Sequence, residues 1–253
     1  MPISMSAAGD GVFVIELAFP RGNAINEAFI EAVDAALEKA RAEGARAIVL
    51  TAPGRTFCSG LDLVQIYEYD KIAMVRFVDA FDDFFARLFA FEVPIVAAIG
   101  GHAIAGGCVL AMTADYRIMA SGGRSIGLTE AALGLPLPAA VMEIARIAVP
   151  PPAWAEWLLE GRRFSAEEAQ RDGVVHRVCA ETDVVAEAVS KAAGLAKADP
   201  GAAQAIKVAL RAPSLRRIAE TKAETRGTFV ERWFGADARA RVGAVYAGLV
   251  KKK

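Results

Sequence analysis

The chain has 253 residues, of which 55% are hydrophobic and 23% charged, and its formal net charge is −1. That is enough apolar material for one globular domain with a sizeable core, and it excludes a highly charged disordered segment. Near-neutral charge removes any global attraction to nucleic acid or to an anionic membrane, so neither is an expected partner and an anionic ligand must be met by local groups.

Cys58, Cys108 and Cys179 are widely spaced and form no CxxC pair, which fits a reducing compartment; cytoplasm is the expected location. With His102 and His176 the only histidines, no metal site is expected. Met1 to Gly11 has neither a basic region ahead of an apolar one nor an Arg-rich amphipathic pattern, and no apolar run is long enough to span a bilayer.

Val12 to Phe19 alternates as an opening strand would, and Pro20-Arg21-Gly22-Asn23 turns the chain. Asn26 can cap a helix in which Phe29, Val33, Ala36, Leu37 and Ala40 recur at helical spacing; Gly44 ends it before a strand over 47–51. Phe57 to Asp62 reads as a loop with glycine-exposed backbone. A helix follows over 72–91, its stripe of phenylalanines reading as core, and stops ahead of Pro94. Ile95 to Ile99 is a strand, Gly100-Gly101 breaks it, and Gly106-Gly107-Cys108 opens a buried helix. Glycines at a helix start bare the backbone, and the first N–H groups there have no partner within the helix, so they suit a developing negative charge. A second strand over 115–119 leads to Gly127-Leu128-Thr129-Glu130, where a carboxylate follows a short extended piece.

Beyond it, helices are expected over 139–148, 153–159 and 165–171, the last with a capping box from Ser165 to Glu168, and a strand over 174–178. From Asp183 onward the pattern is helical, divided at Asp199-Pro200-Gly201, at Ala212-Pro213-Ser214 and near Gly235, and it ends in the solvated tail Lys251-Lys252-Lys253. Alternating strands and helices followed by helices alone give an α/β core over 1–182 and a helical region over 183–253.

Phe57-Cys58-Ser59-Gly60-Leu61-Asp62, Gly106-Gly107-Cys108 and Ile126-Gly127-Leu128-Thr129-Glu130, in this order and at these separations, resemble the signature of the crotonase (enoyl-CoA hydratase/isomerase) superfamily. The resemblance implies a crotonase-like spiral of ββα units with a helical C-terminal trimerisation region, trimers often paired into hexamers, and an acyl-CoA thioester as substrate with no separate cofactor. It implies that the N–H groups of Leu61 and Gly106 grip the thioester oxygen. Hydratases of the family use two glutamates: the second matches Glu130, whereas the first falls on Val109, which can neither position water nor take a proton. A lone carboxylate still suffices to move a double bond from the 3- to the 2-position, and the three segments look most like the Δ3,Δ2-enoyl-CoA isomerase branch. The alternatives are a hydratase that positions water with Asp62, Tyr67 or Tyr69, and an acyl-CoA-binding protein without chemistry.

Val109 is expected to face the acyl chain and exclude water. For Trp233 and Phe234 two readings stay open, a wall of the acyl pocket or a subunit contact. Leu215, Ile218, Phe229, Val230, Trp233 and Phe234 give the last third more apolar surface than it can bury alone, which favours self-association. Arg55 and the basic side chains of the C-terminal helices are candidates for the CoA phosphates, with solvated charge the default for each.

One rival pattern runs through the same stretch. Gly123-Arg124-Ser125-Ile126-Gly127 fits a nucleophile elbow, and Asp172 and His176 follow in hydrolase order, but a loop precedes the serine where an elbow needs a strand. Cys58 reads as a small buried residue and His102 as a turn residue.

Overall fold

The structure, a computed structural model, describes residues 2–251. Met1 and the last two lysines of the expected tail, Lys252 and Lys253, lie outside the described residues.

Two sheets organise the chain. The larger has six strands: β1 (Ile3–Ala7), β2 (Val12–Leu17), β3 (Ala47–Thr51), β5 (Ile95–Ile99), β7 (Tyr116–Ala120) and β10 (Arg177–Cys179). Only the β1–β2 pair is antiparallel. The smaller holds β4 (Thr56–Cys58), β6 (His102–Ile104), β8 (Ser125–Gly127) and β9 (Phe164–Ser165), the first three parallel and β9 antiparallel to β8. Three successive segments, β3–β4, β5–β6 and β7–β8, each give one strand to each sheet before a helix carries the chain back. This is the spiral of ββα units.

Strand alternation explains the layers. On β3, Ala47 and Val49 face one side and pack with Val96, Ala98 and Ile118 against Val184, Ala188 and Ala192 of α6 (Val184–Leu195). Ile48 and Leu50 face the other side, against α1 (Glu27–Ala42), α2 (Lys71–Ala90), α3 (Gly106–Thr113) and α4 (Ala139–Ala148). The expected division after residue 182 therefore falls at a helix that covers the large sheet.

Several expectations hold at atomic detail. Asn26 accepts from the Phe29 N–H at 3.0 Å, capping α1. The capping box of α5 (Ala166–Arg171) is complete, with Ser165 N–H donating to Glu168 and Glu168 N–H to Ser165. Others need correction. β1 was not foreseen, although Ile3 and Met5 pack on the core beside β2. The expected strand over 174–178 is a buried turn at Val174 and Val175, and pairing begins only at Arg177. In place of the helix expected over 153–159, a 3₁₀ turn, Pro151–Ala153, is followed by a π-helical turn, Ala155–Leu159.

The largest correction is α7 (Pro200–Phe234), which runs unbroken through Pro213 and is followed by α8 (Ala236–Val250). A proline removes one helical hydrogen bond and crowds the preceding turn. Here the turns before it are clamped from outside. Lys207 donates to Asp115 at 2.7 Å and to Val93 O at 3.0 Å, while Arg211 reaches Asp115, Thr113 O and Phe89 O. Val93, Thr113 and Asp115 lie just ahead of β5 and β7 and Phe89 in the last turn of α2, and Ser214 and Ile218 bury the turn beyond. Tertiary anchoring overrides the local break.

Candidate active site

The parallel strands β4, β6 and β8 end side by side, so the loops leaving them converge. These loops carry Ser59 to Asp62, Ala105 to Gly106, and Leu128 to Glu130. One cavity opens against all three.

The first loop is oriented by Ile25. Gly60 O accepts from Ile25 N–H at 2.7 Å, and Asp62 N–H donates to Ile25 O at 2.9 Å. In a planar trans peptide the carbonyl and the N–H point in opposite directions. Tying Gly60 O to Ile25 therefore turns the Leu61 N–H away from it, and Leu61 lines the cavity.

The second loop repeats the device. Ala105 has φ 53° and ψ −124°, a conformation that costs a non-glycine residue about 1–3 kcal/mol. Its carbonyl accepts from Cys108 N–H at 2.8 Å and Val109 N–H at 3.1 Å, so the Gly106 N–H points the opposite way. Among the described residues neither the Leu61 nor the Gly106 N–H has an acceptor. The two loops touch through glycines: a Cβ on Gly60 would stand 3.2 Å from the Gly106 nitrogen, and one on Gly107 only 2.0 Å from Cys58 O.

Glu130 leaves β8 at the start of a 3₁₀ turn, Ala131–Leu133, where its carbonyl accepts from Leu133 and Leu135 N–H, both at 3.0 Å. Its Oε2 is buried and has no hydrogen-bond partner. Burial raises the carboxyl pKa to about 7, against the smaller opposing pull of the backbone N–H groups of Glu130 and Thr129. The glycine before it is steric, since a Cβ on Gly127 would lie 2.5 Å from Arg162 O.

The cavity holds about 330 Å³. Ser59, Thr129, Glu130 and Arg163 supply its polar side chains; beyond them the wall is Phe77, Phe81, Leu133, Val141, Phe229 and Val245. Glu130 is the only carboxylate on that wall among the described residues. No cluster of His, Cys, Asp and Glu able to hold a metal ion occurs among them.

A family model described as enoyl-CoA hydratase/isomerase matches residues 7–244. The chain belongs to the enoyl-CoA hydratase/isomerase family. It is 31% identical over 215 residues to human mitochondrial enoyl-CoA delta isomerase 1, covering 83% of this chain and 71% of that protein. It is as similar to a 2,3-dehydroadipyl-CoA hydratase of Escherichia coli, 32% identical over 190 residues, covering 75% of this chain and 73% of that one. The structure of human mitochondrial Δ3,Δ2-enoyl-CoA isomerase superposes over 100% of both chains with a TM-score of 0.94 and 26% identity.

Against this family background, Leu61 and Glu130 share the cavity wall; Gly106 is not itself on the wall but follows Ala105, which is, and three further residues assigned to the pocket, Val109, Trp233 and Phe234, are not on it either. Val109 lies one turn beyond Gly106 but is fully enclosed in the hydrophobic core and is not part of the cavity wall. Trp233 is buried, stacked on Phe229 with ring centroids 6.0 Å apart, and its indole N–H has no partner. Phe234 is 38% exposed at the end of α7. Phe229, one turn before Trp233 on the same face of α7, supplies the wall instead. Ile218, Phe229, Val230 and Trp233 are buried within the chain itself, and the exposed large apolar side chains of α7 and α8 are Ile206, Val208, Leu210, Phe234, Val245, Leu249 and Val250. The phenylalanine stripe of α2 divides, with Phe77 and Phe81 on the cavity and Phe84, Phe85 and Phe89 in the core. Arg163 at the cavity was missed, since nothing in its spacing separates it from solvated charge.

The hydrolase pattern comes apart. Ser125 opens a strand and pairs with His102, Oγ to Nδ1, at 2.9 Å. His176 stacks on Tyr116 with centroids 4.4 Å apart, and Asp172 accepts from Trp157 Nε1 at 3.0 Å. His102 itself opens β6, where a turn was expected. Cys58 is fully buried, donates to Asn23 O at 3.1 Å, and burial pushes its thiol pKa up to about 12, so it is no nucleophile.

Proposed function

We propose that this protein is a Δ3,Δ2-enoyl-CoA isomerase. The observation that carries the reading is the single carboxylate of an apolar cavity, Glu130, on the same wall as Leu61, with the N–H groups of Leu61 and of the adjoining Gly106 free of acceptors among the described residues. Ionised Glu130 removes a proton from C2 of a 3-enoyl-CoA. The freed electron pair forms the C1–C2 double bond of a dienolate, whose charge rests on the thioester oxygen between the Leu61 and Gly106 N–H groups. Such a donor is worth about 3–4 kcal/mol where it has been removed from other enzymes. The protonated Glu130 then returns the proton at C4, and the double bond stands between C2 and C3.

A carboxyl pKa of about 7 suits a group that must take the proton and give it back. The hydrocarbon wall fits an uncharged acyl chain and keeps water from the dienolate and from the shared proton. Likeness to the human isomerase supports the reading.

Hydration of a 2-enoyl-CoA is the second reading, favoured by equal identity to the Escherichia coli hydratase. It needs another group to place water. The candidates are engaged elsewhere: Asp62 with Arg21 and Asn26, Tyr69 with Glu27 at 2.8 Å, and Tyr67 stacked on Tyr246 at 4.4 Å.

Turnover of 3-enoyl-CoA by Glu130→Gln should fall about 10²- to 10⁴-fold, the usual contribution of a general acid–base group. Unchanged turnover would remove Glu130 as the base. Wild-type protein that hydrates 2-enoyl-CoA faster than it isomerises 3-enoyl-CoA would overturn the isomerase reading, and tight CoA-ester binding without either reaction would leave a binding protein.

A further inference from the structure

The loop bearing the Leu61 N–H is held from a part of the chain that touches no substrate. Between β2 and α1, Arg21, Gly22 and Asn23 all have positive φ, at 55°, 69° and 57°. Left-handed backbone is unfavourable at each of the two non-glycine positions, so a run of it persists only where surrounding contacts over-determine it. Here they do. Asn23 donates to Phe57 O at 2.9 Å and accepts from Phe19 N–H at 2.6 Å. Ser59 N–H donates to Gly22 O and Ser59 Oγ to Arg21 O, each at 2.9 Å. The turn is thus sewn to β4 and to the first residue of the oxyanion loop.

What the conformation achieves is the placement of Arg21. Its guanidinium grips Asp62 in two-pronged fashion, Nε donating to Oδ1 at 2.9 Å and Nη2 to Oδ2. Asn26 Nδ2 adds a third donor to Oδ2 at 3.1 Å. Asp62 is buried, and it immediately follows Leu61. The Leu61–Asp62 pair is therefore fixed at two levels: its backbone by Ile25, and its side chain by Arg21 and Asn26. A planar two-pronged pair sets orientation as well as distance, which a lysine's point charge does not. The outer face of the pair is open, with the Arg21 side chain 40% exposed.

We propose that Arg21 and Asp62 are positioning residues whose ion pair aims the Leu61 N–H at the thioester oxygen. The inference rests on the oxyanion role proposed above. It separates Arg21 from the many surface arginines of this chain, such as Arg87 paired with Asp34, whose pairs hold no loop at the cavity.

The test is spectroscopic and needs no turnover. A saturated acyl-CoA carrying ¹³C at the thioester carbonyl is bound to wild type, Arg21→Ala, Arg21→Lys and the control Arg87→Ala, and the carbonyl stretch is read by infrared difference. Polarisation by two aimed donors lowers the wild-type frequency. Arg21→Ala should lose about half of that shift, Arg21→Lys should recover part of it, and Arg87→Ala should match wild type. In turnover, Arg21→Ala should lower kcat about 10- to 100-fold and leave KM within about 3-fold, because a misaimed donor weakens the enolate more than the ground state. No shift in the wild type overturns the oxyanion role and this inference with it. A full shift in Arg21→Ala leaves that role standing and overturns this inference, as does a loss that merely tracks Tm across the variants.

Discussion

The two sheets of this molecule are built by different means. Strands of the large sheet run five residues and more over most of its width and bury alternate side chains into two apolar layers. Those of the small sheet run two or three residues, and what fixes them is close main-chain approach through Gly60, Gly101, Gly107 and Gly127. Side-chain volume specifies the first; the absence of side chains specifies the second. The loops proposed to carry the chemistry leave from the second, where close backbones let main-chain donors be aimed.

The sharpest way to break this contrast is Gly107→Ala. Its Cβ would stand 2.0 Å from Cys58 O, main chain against main chain in a region where nothing can move aside. Loss of folding, or of about 3 kcal/mol or more, is expected by urea denaturation. A single methyl in the large sheet, as in Ala97→Gly, should cost about 1–2 kcal/mol by comparison. Equal effects would abolish the distinction.

Gly60→Ala is milder in folding and severe in function. Its φ of +88° strains any side chain, and the new Cβ would sit 3.2 Å from the Gly106 nitrogen and 2.9 Å from Ile104 O. Turnover should fall about 10²- to 10³-fold, as when an oxyanion donor is lost, while the folded protein is retained at about 1–2 kcal/mol lower stability. Wild-type kcat in a folded variant would show that the two N–H groups do not act together.

Glu130 sharpens the contrast from the side of charge. Its folded pKa, raised to about 7, exceeds the ordinary glutamate value of 4.5. The sign follows: both states are protonated below 4.5, and between 4.5 and about 7 the unfolded chain loses its proton while the folded one keeps it. Ionisation of Glu130 therefore lowers stability as pH rises through that window, and Glu130→Gln should stabilise the protein by about 1–3 kcal/mol at pH 8 and by nothing at pH 4. The same titration should make kcat/KM rise toward a plateau with a midpoint near 7. A variant less stable than wild type at pH 8 would contradict the buried, unpartnered carboxylate.

These contrasts also explain what could be read in advance. Large-sheet strands such as Ala47–Thr51 and Ile95–Ile99 announce themselves by buried apolar runs, and capping at Asn26 and Ser165 by residue type. Thr56–Cys58 and His102–Ile104 are too short for any period to register, so they read as loop and turn although they deliver the site. Gly106 was legible as a glycine-opened helix start, whereas Leu61 and the pairing of both with Glu130 came from the spacing of three motifs that matched a family. Position 109 was misplaced because helical spacing puts it on the turn after Gly106 without saying that α3 is buried on every side. Phe229 was overlooked in favour of Trp233 and Phe234 because three aromatics within a turn and a half do not reveal which faces a cavity. Pro213 misled for the opposite reason: its clamp, Asp115 with Lys207 and Arg211, reaches across roughly ninety residues.

Phe229 and Val245, in the final two helices, line the cavity, whereas every group proposed for the reaction lies at or before residue 130. Chains emerge from the ribosome N-terminus first at about 5–20 residues per second, and N-terminal portions fold first. During several seconds of synthesis the nascent chain therefore carries Leu61, Gly106 and Glu130 with Phe77 and Phe81 but without the part of the wall that Phe229 and Val245 supply. The groups proposed for the reaction are thus made early and part of their enclosure late.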